Sequence, residues 1–558
     1  MKAQIISNIP FICPDSVTLL ALVVLLLPLI SFFFLFFFAN KIPRKGDWLA
    51  TGVMGLTFLL SLYLLFMVLS GEEHILRVPW FKLDLMQGER WFSASMLIDR
   101  VVALLVVIVT FVSLLVHLYS MDYMRGKRNY GRYFPYLGVF TSSMLGILMS
   151  DNLLVTFFCW ELVGFSSYLL IGFWFDKESA IKASKKAFLF NRIGDTGFLL
   201  AILAIFAAFG TFELSIIKDH ILHEGIDISG IYFTLAGLGI FMGCVGKSAQ
   251  FPLQVWLPHA MEGPTPVSAL IHAATMVAAG IYLLAKTFVL LNMDVLTIIA
   301  FIGAITAVVG ALPALVQNDI KKVLAYSTIS QLGYMVMAMG VQAYEASLFH
   351  LITHAFFKAC LFLSAGAVIH AMHEIKHHMF DQRNYNDFDA QDMRLMGGFY
   401  KRIPLVFSAY LISALSLIGI PLFSGFLSKD AILEATWNWA AQQDSSFLYI
   451  IPVMAFFTVF VTAFYMIRQM LMVFFGDFKL GHIYPEAQNA FNEEGHVSPL
   501  MKAPLLLLSF LSLGFVFSLN PFSNTTTWLL NWLKAPYATI QSTTVAGLHD
   551  IVPVWVMI

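Results

Sequence analysis

The chain is poor in charge. Asp, Glu, Lys and Arg make up 12% of its 558 residues, about half the roughly 25% of a soluble protein. The net charge is −1 and no arginine-rich groove is interleaved with aromatics, which excludes nucleic acid as a partner. The four cysteines, Cys13, Cys159, Cys244 and Cys360, form no CxxC pair. Disulfide scaffolds, zinc knuckles and iron–sulfur clusters therefore lack their ligand pattern. No Gly-rich nucleotide loop and no haem motif occur, so no cofactor is expected in this chain. The apolar run from Val17 to Ala39 is followed by no small-residue cleavage site, and it reads as a first transmembrane helix rather than a signal peptide.

What fills the chain is hydrocarbon-length apolar sequence, 59% apolar overall. The reading is an all-α polytopic membrane protein with about 14 spans. They fall near 17–39, 48–70, 94–118, 134–150, 152–175, 184–210, 231–256, 266–291, 295–316, 320–341, 346–371, 404–440, 447–475 and 503–520. Between the second and third, Glu72 to Arg90 is polar with scattered aromatics and suits a short hairpin on the membrane surface. Every second loop is basic: Lys41, Arg44 and Lys45; Arg125, Lys127, Arg128 and Arg132; Lys177, Lys182, Lys185 and Lys186; Lys321 and Lys322. The amino terminus is thus expected outside, with the basic loops in the cytoplasm.

Two segments are interrupted. Lys247 and Pro252 break the seventh span, and Gly419-Ile420-Pro421 and Gly425 break the twelfth just before Lys429. Taking 134–291 and 295–475 as units of five crossings each makes the second an inverted repeat of the first. Broken helices at matching places in such repeats point to a transport site. Residues 1–133 are then N-terminal helices with a surface loop, and 476–558 a C-terminal span leading into a lateral region.

Ionisable groups inside apolar spans are costly and mark function by default. Here they form a series: Glu161, Asp195, Lys247, His272, then His350, His354 and Lys358 at spacings of four, then Lys429 and Asp430. A spacing of four stacks side chains on one helix face. Each has a bland alternative. Glu161 can simply neutralise a lysine, Arg192 and Asp195 can pair along one helix, and the histidines can be hydrogen-bonded core or a polar seam. So many such groups in successive spans favour a proton relay. His370, His373, His377 and His378, followed by Asp381, Asp387, Asp389 and Asp392, read as a solvated cytoplasmic loop. Their spacing matches no closed four-ligand metal pattern. Gly239-x3-Gly243 permits close helix packing, as a weak signal.

Several separated stretches resemble a known family. Phe190-Asn191-Arg192-Ile193-Gly194-Asp195-Thr196-Gly197, the run from Trp256 to Ser268, and the run from Asn318 to Ser327 are similar to the antiporter-type membrane subunits of respiratory complex I. The Asn-Arg-Ile-Gly-Asp motif, the histidine pair of the eleventh span and Gln391-Asp392-Met393-Arg394 resemble the subunit L branch. The likeness covers roughly residues 17–475. It implies a distal proton pump of NADH:quinone oxidoreductase in a bacterial inner membrane, partnered by the other membrane subunits and above all the neighbouring antiporter-like one. It further implies that Glu161 modulates Lys247, that Asp195 adjusts that region, that His272, His350, His354 and Lys358 form a central axis, and that Lys429 with Asp430 stands nearest the exit. NADH, FMN, iron–sulfur clusters and quinone would bind in other subunits. The alternatives are the large subunit of a multi-subunit sodium/proton antiporter and the membrane subunit of an inorganic-carbon uptake system. Subunit L continues into a lateral helix, whereas this sequence stops in the apolar run Val552 to Ile558; it reads either as a truncated fragment or as a variant without that element.

Overall fold

The computed structural model describes residues 14–85, 88–380, 388–443, 445–493 and 497–533. In chain order the elements are α1 (Ser16–Phe38), α2 (Asp47–Met67), β1 (His74–Leu85), β2 (Gly88–Ile98), α3 (Arg100–Tyr123), α4 (Tyr130–Met149), α5 (Leu153–Ile171), α6 (Glu178–Phe209) and α7 (Leu214–Leu222). There follow α8 (Ile231–Lys247), α9 (Thr265–Ala273), α10 (Met276–Lys286), α11 (Met293–Ala314), α12 (Ile320–Gly340), α13 (Tyr344–Phe380), α14 (Phe399–Arg402), α15 (Pro404–Ile418), α16 (Ser424–Ala441) and α17 (Ile450–Phe474). The chain closes with α18 (Lys479–Ile483), α19 (Pro485–Glu493), α20 (Pro499–Leu511) and α21 (Trp528–Trp532).

Among the described residues nine helical stretches are long and apolar enough to cross a bilayer, with α8, α15 and α20 as shorter apolar helices. The bundle is sorted by what each helix faces. α1 turns Phe33, Phe34 and Phe37 outward and α17 turns Phe457, Phe460 and Phe464 outward, as lipid-facing helices do. By contrast the most apolar windows of α9–α10 and of α13 are 100% buried inside the protein. A segment that touches no lipid can carry polar groups and broken backbone, because protein or water satisfies them.

Close helix approach is built from glycine. On α6 and α8, Gly194 and Gly197 face Gly239, Gly243 and Gly246; a Cβ on Gly194 would stand 2.6 Å from the Met242 carbonyl oxygen, and one on Gly243 2.9 Å from the Phe198 Cβ. The Gly239-x3-Gly243 signal is therefore a packing seam, and it brings the end of α8 against α6.

Several boundaries differ from the sequence reading. The seventh helix ends at Lys247, and residues 248–264 run as turns and 3-10 segments rather than continuing to 256. The eighth is itself divided, with Ala274 and Thr275 between α9 and α10. The twelfth divides as expected, at Gly419 (φ 95°), into α15 and α16. His370, His373, His377 and His378 lie not in a loop but on the last turns of α13, which runs to Phe380. Asp381, Asp387, Cys13 and the Val552–Ile558 run lie outside the described residues.

The expected surface hairpin is present and longer than its loop. β1 and β2 pair antiparallel from His74↔Ile98 to Leu85↔Gly88, taking residues 94–98 from the third span. It clasps the ends of three helices. Arg77 Nε stands 2.6 Å from Glu213 Oε2 at the start of α7, Ser93 Oγ donates to the same carboxylate, and the Asp151 N–H donates to the Ser95 carbonyl at 2.9 Å. Asp151, between α4 and α5, accepts from Ser215 Oγ at 2.6 Å and Ser215 N at 3.1 Å.

Burial pushes the Asp151 carboxyl up to about 6, against the hydrogen bonds from Ser215, which lower it. Between the ordinary value of 3.8 and about 6 the folded chain binds more protons than the unfolded one, so stability falls as pH rises through that window. Relative to Asp151→Asn, the native chain should gain about 1 kcal/mol between pH 7 and pH 5. Melting midpoints of both forms at the two pH values check this, and equal pH responses would refute it.

Candidate functional site

Lys247 is the last residue of α8 and is fully buried. Its Nζ stands 3.6 Å from Asp195 Oδ2 on α6, and both side chains are at most 3% exposed. The Trp160 indole N–H on α5 donates to Asp195 Oδ1 at 2.6 Å, and the Trp160 ring centroid lies 5.7 Å from Nζ. Gly164, one turn further along α5, makes the space: a Cβ there would sit 2.6 Å from Nζ.

The pairing differs from the one the sequence suggests. Glu161 was the expected partner of Lys247, and Arg192 that of Asp195. Instead Arg192 Nη1 reaches Glu161 Oε1 at 2.6 Å on the outer side, with the arginine half exposed, while Asp195 turns inward to Lys247. Trp160 holds that carboxylate inward, and the glycine seam supplies a cation there. Glu161 and Lys247 remain neighbours through α5, without a direct ion pair.

The other members follow on successive elements. His272 is the penultimate residue of α9, just before the break, with its ring 4.8 Å from that of Phe362. On α13, His350 joins Ser428 Oγ of α16 through Nδ1 at 2.8 Å and Gln331 Oε1 of α12 through Nε2 at 3.1 Å. The His354 ring centroid is 6.3 Å from that of His350, and His354 lies in electrostatic reach of Lys358, His272 and the Ala273 backbone. Among the described residues neither ring nitrogen of His272 has a hydrogen-bond partner, and His354 has the Ala273 backbone alone within reach, outside full hydrogen-bond geometry. Lys358 donates to Ser327 Oγ and to the Leu324 carbonyl at 3.2 Å.

Lys429 on α16 donates to the Leu417 and Ile418 carbonyls at 2.7 and 3.2 Å. These are the last carbonyls of α15, left without intrahelical partners by the break and carrying the negative end of the helix dipole. The Tyr334 ring lies 5.6 Å from Nζ. Asp430 follows on α16, partly buried.

Sequence reasoning missed Trp160, Gln331, Ser327 and Ser428. The available signal was polar residues recurring at helical spacing inside apolar spans, Ser327 with Gln331 and Ser424 with Ser428. It also missed a chamber of about 610 Å³ on the basic-loop side, lined by Tyr123, Lys127, Lys177, Glu262, Lys321 and His373 among others. The Tyr123 hydroxyl and Thr265 Oγ1 meet there at 2.9 Å, at the first residue of the helix that carries His272. Among the described residues no group of three His, Cys, Asp or Glu side chains is placed to hold a metal.

Two family models match the chain. One, described as NADH:quinone oxidoreductase/Mrp antiporter, TM, covers residues 150–458; the other, NADH-Ubiquinone oxidoreductase (complex I), chain 5 N-terminus, covers residues 85–134. The chain is 44% identical over 492 residues to NAD(P)H-quinone oxidoreductase chain 5 of Picosynechococcus sp., covering 85% of this chain and 71% of that one. It is 43% identical over 520 residues to NADH-quinone oxidoreductase subunit L of Neisseria meningitidis serogroup A, covering 88% and 73%. Among curated relatives it spans from 61% to 74% of their length. A solved structure of the Mrp complex from Dietzia sp. superposes with a TM-score of 0.76 at 26% identity, over 97% of this chain and 54% of that one.

Asp195→Asn leaves the Lys247 ammonium buried without its counter-charge, at a cost of about 3–5 kcal/mol. Adding Lys247→Met should recover most of that loss. Melting of the purified protein in detergent measures both, and a double variant no more stable than the single one would refute the pairing.

Proposed function

Because the chain belongs to the antiporter-like membrane subunits of NADH:quinone oxidoreductase, in the branch named subunit L or chain 5, we propose that it moves protons through its buried Glu, Asp, Lys and His residues, driven by electron transfer in other subunits. One observation carries this reading. Titratable groups occupy the buried interior in succession, from Lys247 on α8 through His272 on α9 and α13 to Lys429 on α16, and they cluster where helices are broken.

In this reading Lys247 holds a proton while Asp195 faces it, and gives it up when that charge balance changes. Glu161 is the lever: held by Arg192 it is neutralised, and released from Arg192 it presents a second negative charge to the Lys247 region. His272 and His354 accept and pass the proton inward, Lys358 stores it, and Lys429 with Asp430 delivers it toward the exit. Lys429 donates to the helix-end Leu417 and Ile418 carbonyls, so release there needs those bonds to give way as a counter-charge or proton arrives behind it.

The Glu161–Arg192 pair also bears on partners. It lies at span depth on a face with Phe158, Phe165, Leu189 and Ile193 exposed. A charged pair is expensive against lipid, so a neighbouring membrane subunit is the natural cover. The same reading places NADH, FMN, iron–sulfur clusters and quinone elsewhere in the complex, in a bacterial inner membrane, with the amino terminus outside.

The likeness to an Mrp chain keeps a sodium/proton antiporter as the second reading; identity of 44% to a quinone oxidoreductase chain against 26% to the Mrp chain favours the first. Lys247→Ala and Glu161→Gln should each lower proton pumping and coupled quinone reduction together, by at least about 10-fold for Lys247→Ala. Vesicles of the native membrane report both rates. Unchanged pumping in both variants sinks the relay, and sodium-dependent exchange without NADH would select the antiporter.

A further inference from the structure

We infer that Gln469, Tyr465, Tyr410 and Ser327 line a hydrated proton path joining Lys358 directly to the basic-loop face of the protein between α12, α15 and α17. It rests on the proton-relay reading above and adds to it a second access.

The buried tyrosines differ in how their hydroxyls are met. Tyr119, Tyr282 and Tyr334 each donate their hydroxyl to a backbone carbonyl, of Leu363 at 2.8 Å, Leu148 at 2.6 Å and Ala455 at 2.6 Å. Those bonds explain their hydroxyls as structural. Among the described residues the equally buried Tyr410 hydroxyl has no hydrogen-bond partner, and the Tyr465 hydroxyl has only those of Thr462 and Ser327 within reach, neither in full hydrogen-bond geometry. A buried hydroxyl left without a partner is disfavoured, and such groups are normally met by ordered water. Phenylalanine would fill the same space without that requirement.

These hydroxyls are not scattered. Tyr465 stands in interaction range of Ser327, and Tyr410 in electrostatic range of Tyr465. Ser327 in turn receives the Lys358 ammonium. One turn beyond Tyr465 on α17, Gln469 Nε2 donates to the Ile320 carbonyl at 2.9 Å, at the first residue of α12, while its fully buried Oε1 has no partner among the described residues. Ser327 is seven residues into α12, so the row spans about 10 Å from the helix start. Its outer end adjoins Arg468, which binds the Gln317 carbonyl and Asn318 Oδ1 in the basic loop. Amide, phenol, hydroxyl and ammonium thus follow one another from beneath the basic loop to the central lysine, with the Tyr410 phenol beside that of Tyr465.

A proton crosses such a row without net chemistry. Each hydroxyl or water accepts a proton on its outer side and releases its own on the inner side, and the last transfer protonates a neutral Lys358 amine. Lys358 can then reload without drawing on Lys247 or His272.

The test uses the assembled complex in native membrane vesicles. Tyr465→Phe and Gln469→Leu together should lower protons pumped per electron by about 3-fold or more, with assembly and melting midpoint unchanged and a larger solvent deuterium effect on turnover. Tyr133→Phe, whose hydroxyl is held by Ser120 at 3.0 Å elsewhere in the bundle, should leave all three unchanged. Gln469→Cys should react with a charged, membrane-impermeant thiosulfonate added on the basic-loop side, above the background of the unaltered chain. Native pumping in the double variant, or no labelling above background, overturns the path; if the double variant fails to assemble, the labelling decides alone. Loss of pumping in Lys358→Met with native pumping in the double variant removes the path and leaves the relay standing, whereas native pumping in Lys358→Met removes the relay itself.

Discussion

Lys247 and Asp195 face one another inside a helical bundle with almost no exposure, and much of the surrounding architecture exists to allow it. Neither charge is tolerable against lipid, and either alone would be costly in protein. The glycine seam between α6 and α8 brings the two helices close enough for the pair to form. Trp160 then turns Asp195 inward, and Gly164 leaves the volume that the ammonium occupies. α5 and α6 turn Phe158, Phe165, Leu189 and Ile193 outward, while Lys247 and Asp195 stay at most 3% exposed on their inner side, so this pair does not meet hydrocarbon.

The same problem is solved repeatedly by placing a cation at the end of a helix. Lys429 sits on the terminal carbonyls of α15, and Lys286 donates to the Ile147 carbonyl at 3.0 Å near the end of α4. Terminal carbonyls have no intrahelical partners and carry partial negative charge. A broken span thus supplies both an unsatisfied acceptor and room for the lysine that meets it. This links the two features that stand out in the chain, interrupted helices and intramembrane lysines, through one electrostatic cause. Lys286 uses the device at a helix end near the membrane surface, beside the hairpin clasp; Lys429 uses it at a break inside the bundle.

Much of this was legible because charge inside an apolar run is conspicuous. Lys247, His272, His350, His354, Lys358 and Lys429 all read as buried from sequence, and all are. The break at Gly419 was legible through Gly419 and Pro421, which interrupt helix locally. The break between Ala273 and Met276 was not, since Ala273-Ala274-Thr275 holds no glycine or proline and the chain departs from helix there for tertiary reasons. The histidines after Gly366 looked like loop because they are polar and followed by acids, yet α13 carries them on to Phe380. The exchange of partners around Glu161 is the sharpest case. A spacing of three residues makes Arg192 and Asp195 neighbours on one helix, but it says nothing of what α5 and α8 bring to either side.

The sequence by itself determined that this is a helical membrane protein, which residues are charged at bilayer depth, and which family its motifs resemble, because each rests on composition or on contiguous residues. Only the tertiary structure decided who pairs with whom, where the second interruption falls, and which buried hydroxyls go without protein partners. Those depend on the approach of helices far apart in the chain, set by glycine contacts and by packing against neighbours, and no local pattern encodes that distance.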